Sequence, residues 1–205
     1  MVTCPSCRRE NPDDSRFCNA CGVALAGAEP TGGEERKTVT IVFVDLVGFT
    51  AQAERLDPED VRSVLSRYHT RVRAELEHHG GTVEKFIGDA VMAVFGAPVA
   101  HEDDPERAVR AALAIRDWSA EQTDLQVRVA VHTGETLVNI GARAAEGEAL
   151  VSGDVVNTAA RLQTAAPVNG VLAGETTYRA TRDAIRYREA PAVEAKGKAE
   201  PVTAW

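Results

Sequence analysis

The chain has 205 residues, of which 44% are hydrophobic and 26% charged, and its net charge is −8. These values suit a soluble globular protein of one medium domain with a small appendage, and they argue against a general binder of phosphate backbones. No apolar run approaches the ~20 residues of a membrane span, and no apolar core of a signal peptide opens the chain, so a cytoplasmic location is expected.

All four cysteines lie at the start, in "CPSCRRENPDDSRFCNACG". Cys4, Cys7, Cys18 and Cys21 form two C-x2-C knuckles, which can place four thiolates around one structural Zn²⁺. A segment this short has no hydrophobic core, so the metal would supply its folding free energy. Paired disulfides or plain thiols are the alternative, and the lack of an export signal favours zinc. Four cysteines leave no open coordination position, so the site is structural. Basic residues are sparse here (Arg8, Arg9, Arg16), which favours a protein partner for the ribbon over nucleic acid. Residues 1–23 are therefore read as a zinc ribbon. Residues 24–37, small and charged with several glycines, read as a flexible linker. The main domain is expected over 38–205.

"TVTIVFVDLVGFT" predicts a buried strand ending at a carboxylate, Asp45. Asp57-Pro58-Glu59-Asp60 predicts a helix start, and Gly80-Gly81 its stop. "VEKFI" and "AVMAVF" predict a hairpin with Gly88-Asp89 as its two-residue connection. Asp104-Pro105 opens a second helix with Val109, Ala112, Leu113 and Trp118 inward, and "QVRVAVHTG" is a strand. Beyond residue 132 come a strand-like pair, a helix capped by Asp154, and a short helix in "GETTYRAT". A tail hairpin follows, with Lys196-Gly197-Lys198 at its bend.

This order is βαββαβ: an α+β fold with a ferredoxin-like core, a C-terminal α/β extension and the small ribbon ahead of it. In that core the first strand and the hairpin are expected to be central and adjacent, which would bring Asp45 near Asp89. Either Asp alone reads as turn chemistry. Together, two carboxylates at neighbouring strand ends can hold two divalent cations ~4 Å apart. Asn157 and Arg161, at i and i+4, share one helix face. Alone they read as ordinary surface residues.

"FVDLVGFT", "EKFIGDAVMAVFG", "VRVAVHTG", "GDVVNTAARL" and "AKGKAEPV" together resemble the catalytic domain of class III nucleotidyl cyclases, in the order of that family. The resemblance implies that ATP is converted to 3′,5′-cyclic AMP and pyrophosphate with two Mg²⁺ or Mn²⁺ per active site. It implies metal ligation by Asp45, Asp89 and the Leu46 backbone carbonyl. Lys85 would select adenine, Asn157 orient the ribose and Arg161 stabilise the pentavalent phosphorus, while Arg128 and Lys196 contact the triphosphate. It also implies a head-to-tail homodimer, with the metals on one subunit and Lys85, Asn157, Arg161 and Lys196 from the other. No membrane and no nucleic-acid partner is expected. A ribbon ahead of such a domain also resembles the start of large bacterial regulators that continue into an ATPase region.

One position departs from the pattern. Seven residues before Asn157 the family carries a polar partner of the lysine for adenine, and here it is Leu150. Glu148 and Ser152 are candidate substitutes. Two other functions are weighed: a catalytically weak or inactive cyclase-homology module that regulates an attached domain, and a diguanylate cyclase on the same topology. "IGDAV" lacks the acidic pair of the latter.

Overall fold

The computed structural model describes residues 2–4, 7–12, 34–139, 150–194 and 201–205. At the N-terminus β1 (Val2–Thr3) pairs antiparallel with β2 (Glu10–Asn11). In the main domain β3 (Glu34–Leu46) is followed by the short α1 (Phe49–Ala53), α2 (Pro58–His78), β4 (Thr82–Ile87), β5 (Ala90–Phe95), α3 (Asp104–Ala120) and β6 (Val127–Asn139). The extension adds α4 (Asp154–Ala165), β7 (Gly170–Ala173), α5 (Glu175–Thr181) and the antiparallel pair β8 (Ala190–Val193) and β9 (Val202–Ala204).

The main sheet runs β4-β5-β3-β6-β7, with only β6 and β7 parallel. Thus β5 lies beside β3 as expected, but the hairpin is not wholly central, because β4 is the sheet edge. The βαββαβ order and the α+β class hold.

Both faces of the sheet are covered, and β3 shows it in its side chains. Val42, Val44 and Leu46 point into a core shared with Tyr68, Val72 and Leu76 of α2 and with Val109, Ala112 and Ile115 of α3. Val39, Ile41 and Phe43 alternate to the other face, where Val155 and Ala159 of α4 meet them. Burial on both faces explains why this strand reads as an unbroken apolar run rather than an alternating one. Burying Val155, Thr158, Ala159 and Leu162 turns one stripe of α4 to the sheet.

Helix α2 starts where the sequence predicts, with Asp57 at the N-cap and Pro58 at the first position. It ends in a Schellman motif: Gly81 N donates to Leu76 O (2.8 Å) and Gly80 N to Glu77 O (2.9 Å). Gly80 takes the left-handed conformation this needs, with φ 84°. Helix α4 is capped by Gly153, one residue before the predicted Asp154, which instead places its charge in the first turn.

The stretch read as linker is shorter than expected, because β3 reaches back to Glu34. Residues 34–37 pair with Asn139 to Thr136 of β6, and Arg36 and Glu135 form an ion pair across the two strands. Charge there marks a solvated ribbon extension rather than a linker. The tail pairs as a hairpin, and its predicted bend with Lys196 lies outside the described residues.

Candidate active site

The site is built on the sheet face that carries α4. Asp45 is the penultimate residue of β3 and follows Phe43 in the alternation to that face. In register it stands opposite Arg128 of β6. Gln163 of α4 donates its amide to Asp45 Oδ2 at 3.1 Å.

Asp89 comes from the β4–β5 turn. Ile87 pairs with Ala90, so Gly88-Asp89 is a two-residue connection, and Gly88 has φ 63°. A positive φ at the first central residue is the conformation that calls for glycine. His69 of α2 packs beside the hairpin. Its ring packs on Phe86 with centroids 4.4 Å apart and reaches the Gly88 backbone.

Asp45 senses the charge of Asp89. Burial pushes the Asp45 carboxyl above the ordinary carboxylate range, and the Asp89 charge pushes it further. Gln163 and Arg128 pull it back only in part. Beneath them Tyr68 is fully buried, and its hydroxyl has no hydrogen-bond partner among the described residues. Its pKa is raised well above the usual tyrosine value by burial and then by the fields of Asp45 and Asp89. This end of the sheet thus carries crowded negative charge, which is what a divalent cation relieves. Among the described residues no three Asp, Glu, His or Cys side chains converge. Two carboxylates without a full protein cage suit Mg²⁺ or Mn²⁺ that completes its shell with water and substrate phosphates. Leu46, whose carbonyl was predicted as a further ligand, is buried and closes β3.

Of the other predicted groups, Asn157 and Arg161 stand on α4 and Lys85 on β4. Asn157 is exposed and Arg161 half-buried on α4, and Arg161 is not among the charges that move Asp45. Lys85 lies on β4, with its side chain 43% exposed. Leu150 packs half-buried against the core beneath α4, and its carbonyl accepts from Asn139 N at 2.9 Å. Of the candidate substitutes, Ser152 is exposed and Glu148 lies outside the described residues. A large cavity of about 880 Å³ sits elsewhere, between α3, β7 and the β8–β9 pair, and among the described residues that line it there is none of the predicted site residues.

Sequence reasoning missed Gln163 and assigned Tyr68 no role in the site. Gln163 gave no signal, because one amide near the end of a helix is unremarkable. Tyr68 gave one: a phenol on an apolar stripe needs a polar neighbour.

At the N-terminus Cys7 N donates to Cys4 Sγ at 3.5 Å, inside a turn closed by Cys4 N to Arg9 O and Arg8 N to Cys4 O. This is the first knuckle. Cys18 and Cys21 lie outside the described residues.

Residues 33–205 match the adenylate and guanylate cyclase catalytic domain. The chain belongs to that family. Residues 3–25 match a zinc-ribbon domain. The cyclase domain is similar in structure to the adenylyl cyclase CyaB from P. aeruginosa, with 30% identity and a TM-score of 0.76 over 84% of this chain and 94% of that one. It is similar to the guanylyl cyclase Cya2, with 31% identity and a TM-score of 0.78 over 84% and 92%. Adenylate cyclase 1 of Rhizobium meliloti is 33% identical over 175 residues, 80% of this chain and 26% of that protein. An uncharacterized protein of Mycobacterium tuberculosis is 41% identical over 134 residues, 64% and 23%. The chain thus spans about a quarter of the length of these curated relatives. No helix among the described residues is long and apolar enough to cross a membrane.

Proposed function

We propose that this cyclase is an adenylate cyclase that converts ATP to 3′,5′-cyclic AMP and pyrophosphate at sites shared by two copies of the chain. The observation that carries this reading is the split constellation. Asp89 and Arg128 both act on the Asp45 carboxyl, and Arg161 is not among the charges that do. A second copy supplies what the first lacks.

Asp45, Asp89 and the Leu46 carbonyl hold the divalent cations, which when bound acidify the ribose 3′-hydroxyl and neutralise the departing pyrophosphate. Arg128, opposite Asp45, grips the triphosphate together with Lys196. Asn157 of the other copy orients the ribose for in-line attack on the α-phosphorus. Arg161 of that copy meets the charge that grows on the equatorial oxygens. Lys85 donates to the base, and a lysine rather than a glutamate there favours adenine. ATP as substrate fits a cytoplasmic location.

The test is purified protein with Mn²⁺ and ATP or GTP, followed by identification of the product. Cyclic AMP is expected, and cyclic GMP as the main product would overturn the reading. Leu150 favours a second reading, a weak or inactive regulatory module, because its apolar side chain offers nothing to a base. Absence of any cyclic product from demonstrable dimers would select it.

Metal binding has its own readout. Added Mn²⁺ should raise the Tm of the main domain by relieving the Asp45–Asp89 repulsion, and Asp45→Asn should abolish most of that shift. An equal shift in both proteins would place the cation elsewhere.

The ribbon and the cyclase domain are read as separate units joined by residues 24–33, with one Zn²⁺ on Cys4, Cys7, Cys18 and Cys21. Chelation is expected to unfold the ribbon and leave the thermal transition of residues 34–205 in place. Metal analysis that finds no zinc in reduced protein would refute the zinc assignment.

A further inference from the structure

Strand β4 is not regular. Val83 pairs with Ala93 and Lys85 with Met92, so Glu84 has no partner across the ladder. This is a bulge, and it re-aims side chains. Val83 and Phe86, three residues apart, both pack into the core under α2 and α3. Strict alternation would send one of them outward. With the extra residue taken up between them, Glu84 and Lys85 both turn to the opposite face, where Met92 and α4 lie.

The two side chains fare differently there. Lys85 is 43% exposed, but Glu84 is only 4% exposed. Lys85 Nζ stands 3.6 Å from Glu84 Oε1, and the backbone amides of Leu150 and Val151 lie close to the carboxylate. Neither Glu84 oxygen makes a well-aligned hydrogen bond among the described residues. Burial pushes this carboxyl up, and Lys85 and the two amides pull it back. A buried carboxylate with open acceptor positions is costly unless something donates to it. The apolar side chain of Leu150 cannot.

Granting that Lys85 faces the base, the geometry points to Glu84 as the acceptor that reads the exocyclic amine of a 6-aminopurine. Adenine presents a ring-nitrogen acceptor beside an amine donor. Lys85 donates to the first and Glu84, seated against Leu150, accepts from the second. The bulge is the device that sets a donor and an acceptor side by side on one strand. Glu84 thereby supplies the polar group that position 150 lacks, and base choice is stricter than Leu150 alone implies. Leu150→Asp then adds little.

The test uses 3′-deoxynucleoside triphosphates, which lack the attacking hydroxyl, so binding is measured apart from turnover. The dimer of the 205-residue chain with Mn²⁺ is titrated with 3′-deoxy-ATP, with the matching purine riboside triphosphate that has no 6-substituent, and with 3′-deoxy-GTP. The native protein should prefer the amine-bearing base by about tenfold or more, as a hydrogen bond to a charged acceptor implies. Glu84→Met should reduce that preference to about twofold or less. Glu84→Gln, which keeps the shape and a neutral acceptor, should fall between, and it decides the matter if the Met variant fails to dimerise. An unchanged preference in the variants that dimerise, or native preference for the guanine nucleotide, overturns the assignment. Glu84-dependent preference for the amine without cyclic product would uphold the assignment and refute the cyclase reading. Cyclic AMP formation with base choice independent of Glu84 would do the reverse.

Discussion

Mixing Asp45→Ala chains with Arg161→Ala chains is expected to restore activity that neither homodimer shows. The Asp89 charge pushes the Asp45 carboxyl up at the strand end, and on the proposed reading the loss of Asp45 removes half of the cation-holding charge. Arg161 is not among the charges that move Asp45, and on the proposed reading it does its work on another copy's substrate. Removing such a charge-stabilising group lowers kcat by roughly 10²–10³-fold, about 3–4 kcal/mol of barrier. In the proposed twofold dimer each site takes Asp45 from one chain and Arg161 from the other. A heterodimer of the two variants therefore has one site with every group native and one lacking both. Random pairing of equal amounts makes about half the dimers mixed, so recovery to about a quarter of native turnover is the ceiling. Recovery to a few per cent would still exceed either variant alone. No recovery, with heterodimers verified by differently tagged chains, would mean that each chain completes its own site.

Much of this arrangement is legible in the order of residues, for physical reasons. Val42, Val44, Leu46 and Val91 to Phe95 are buried by the sheet itself, so hydrophobic period located the strands. Asp57-Pro58 and Gly80-Gly81 are backbone devices whose chemistry is local, so they marked α2 correctly. Asp45 and Asp89 stood out as carboxylates at the ends of apolar strands. What stayed hidden depends on contacts far apart in the chain. Gln163 reaches Asp45 across 118 residues, and no local pattern announces it. The parallel strand β7 is four residues long and owes its state to β6. Glu84 was overlooked for a different reason, since its signal was present. The two apolar residues Val83 and Phe86, three apart, do not fit the period of two of a strand, and within a strand that misfit marks a bulge. The charged residues 34–37 misled in the opposite sense, because an exposed ribbon needs no apolar side chains to pair.

The geometry of the hairpin has a mechanical foundation, and Phe95→Ala is expected to remove it. Phe95 closes β5 at the end opposite the Gly88-Asp89 turn, and it is fully buried beneath α2 and α3. It is packed against Gly81 so tightly that a Cβ there would stand 2.6 Å from two ring carbons. This junction is where the chain leaves α2 and starts the strand that carries Glu84 and Lys85. Truncating a buried phenylalanine costs about 3–5 kcal/mol, because a cavity is left as well as transfer energy lost. Against a typical domain stability of about 5–15 kcal/mol, that leaves little margin. Gly81→Ala should act at the same contact from the other side, at about 1–3 kcal/mol, since the added methyl must push the ring. Val99→Ala is the control. Its side chain is 65% exposed, and its loss should change stability by no more than about 0.5 kcal/mol. Denaturant unfolding of the full chain reads all three as shifts of the midpoint. Because the two substitutions share one contact, the double variant should lose less than the sum of the singles: the alanine methyl partly fills the space that the ring vacates. A Phe95→Ala loss below about 1 kcal/mol would show that the hairpin is anchored elsewhere, and a strictly additive double variant would show that Gly81 and Phe95 do not hold the junction together.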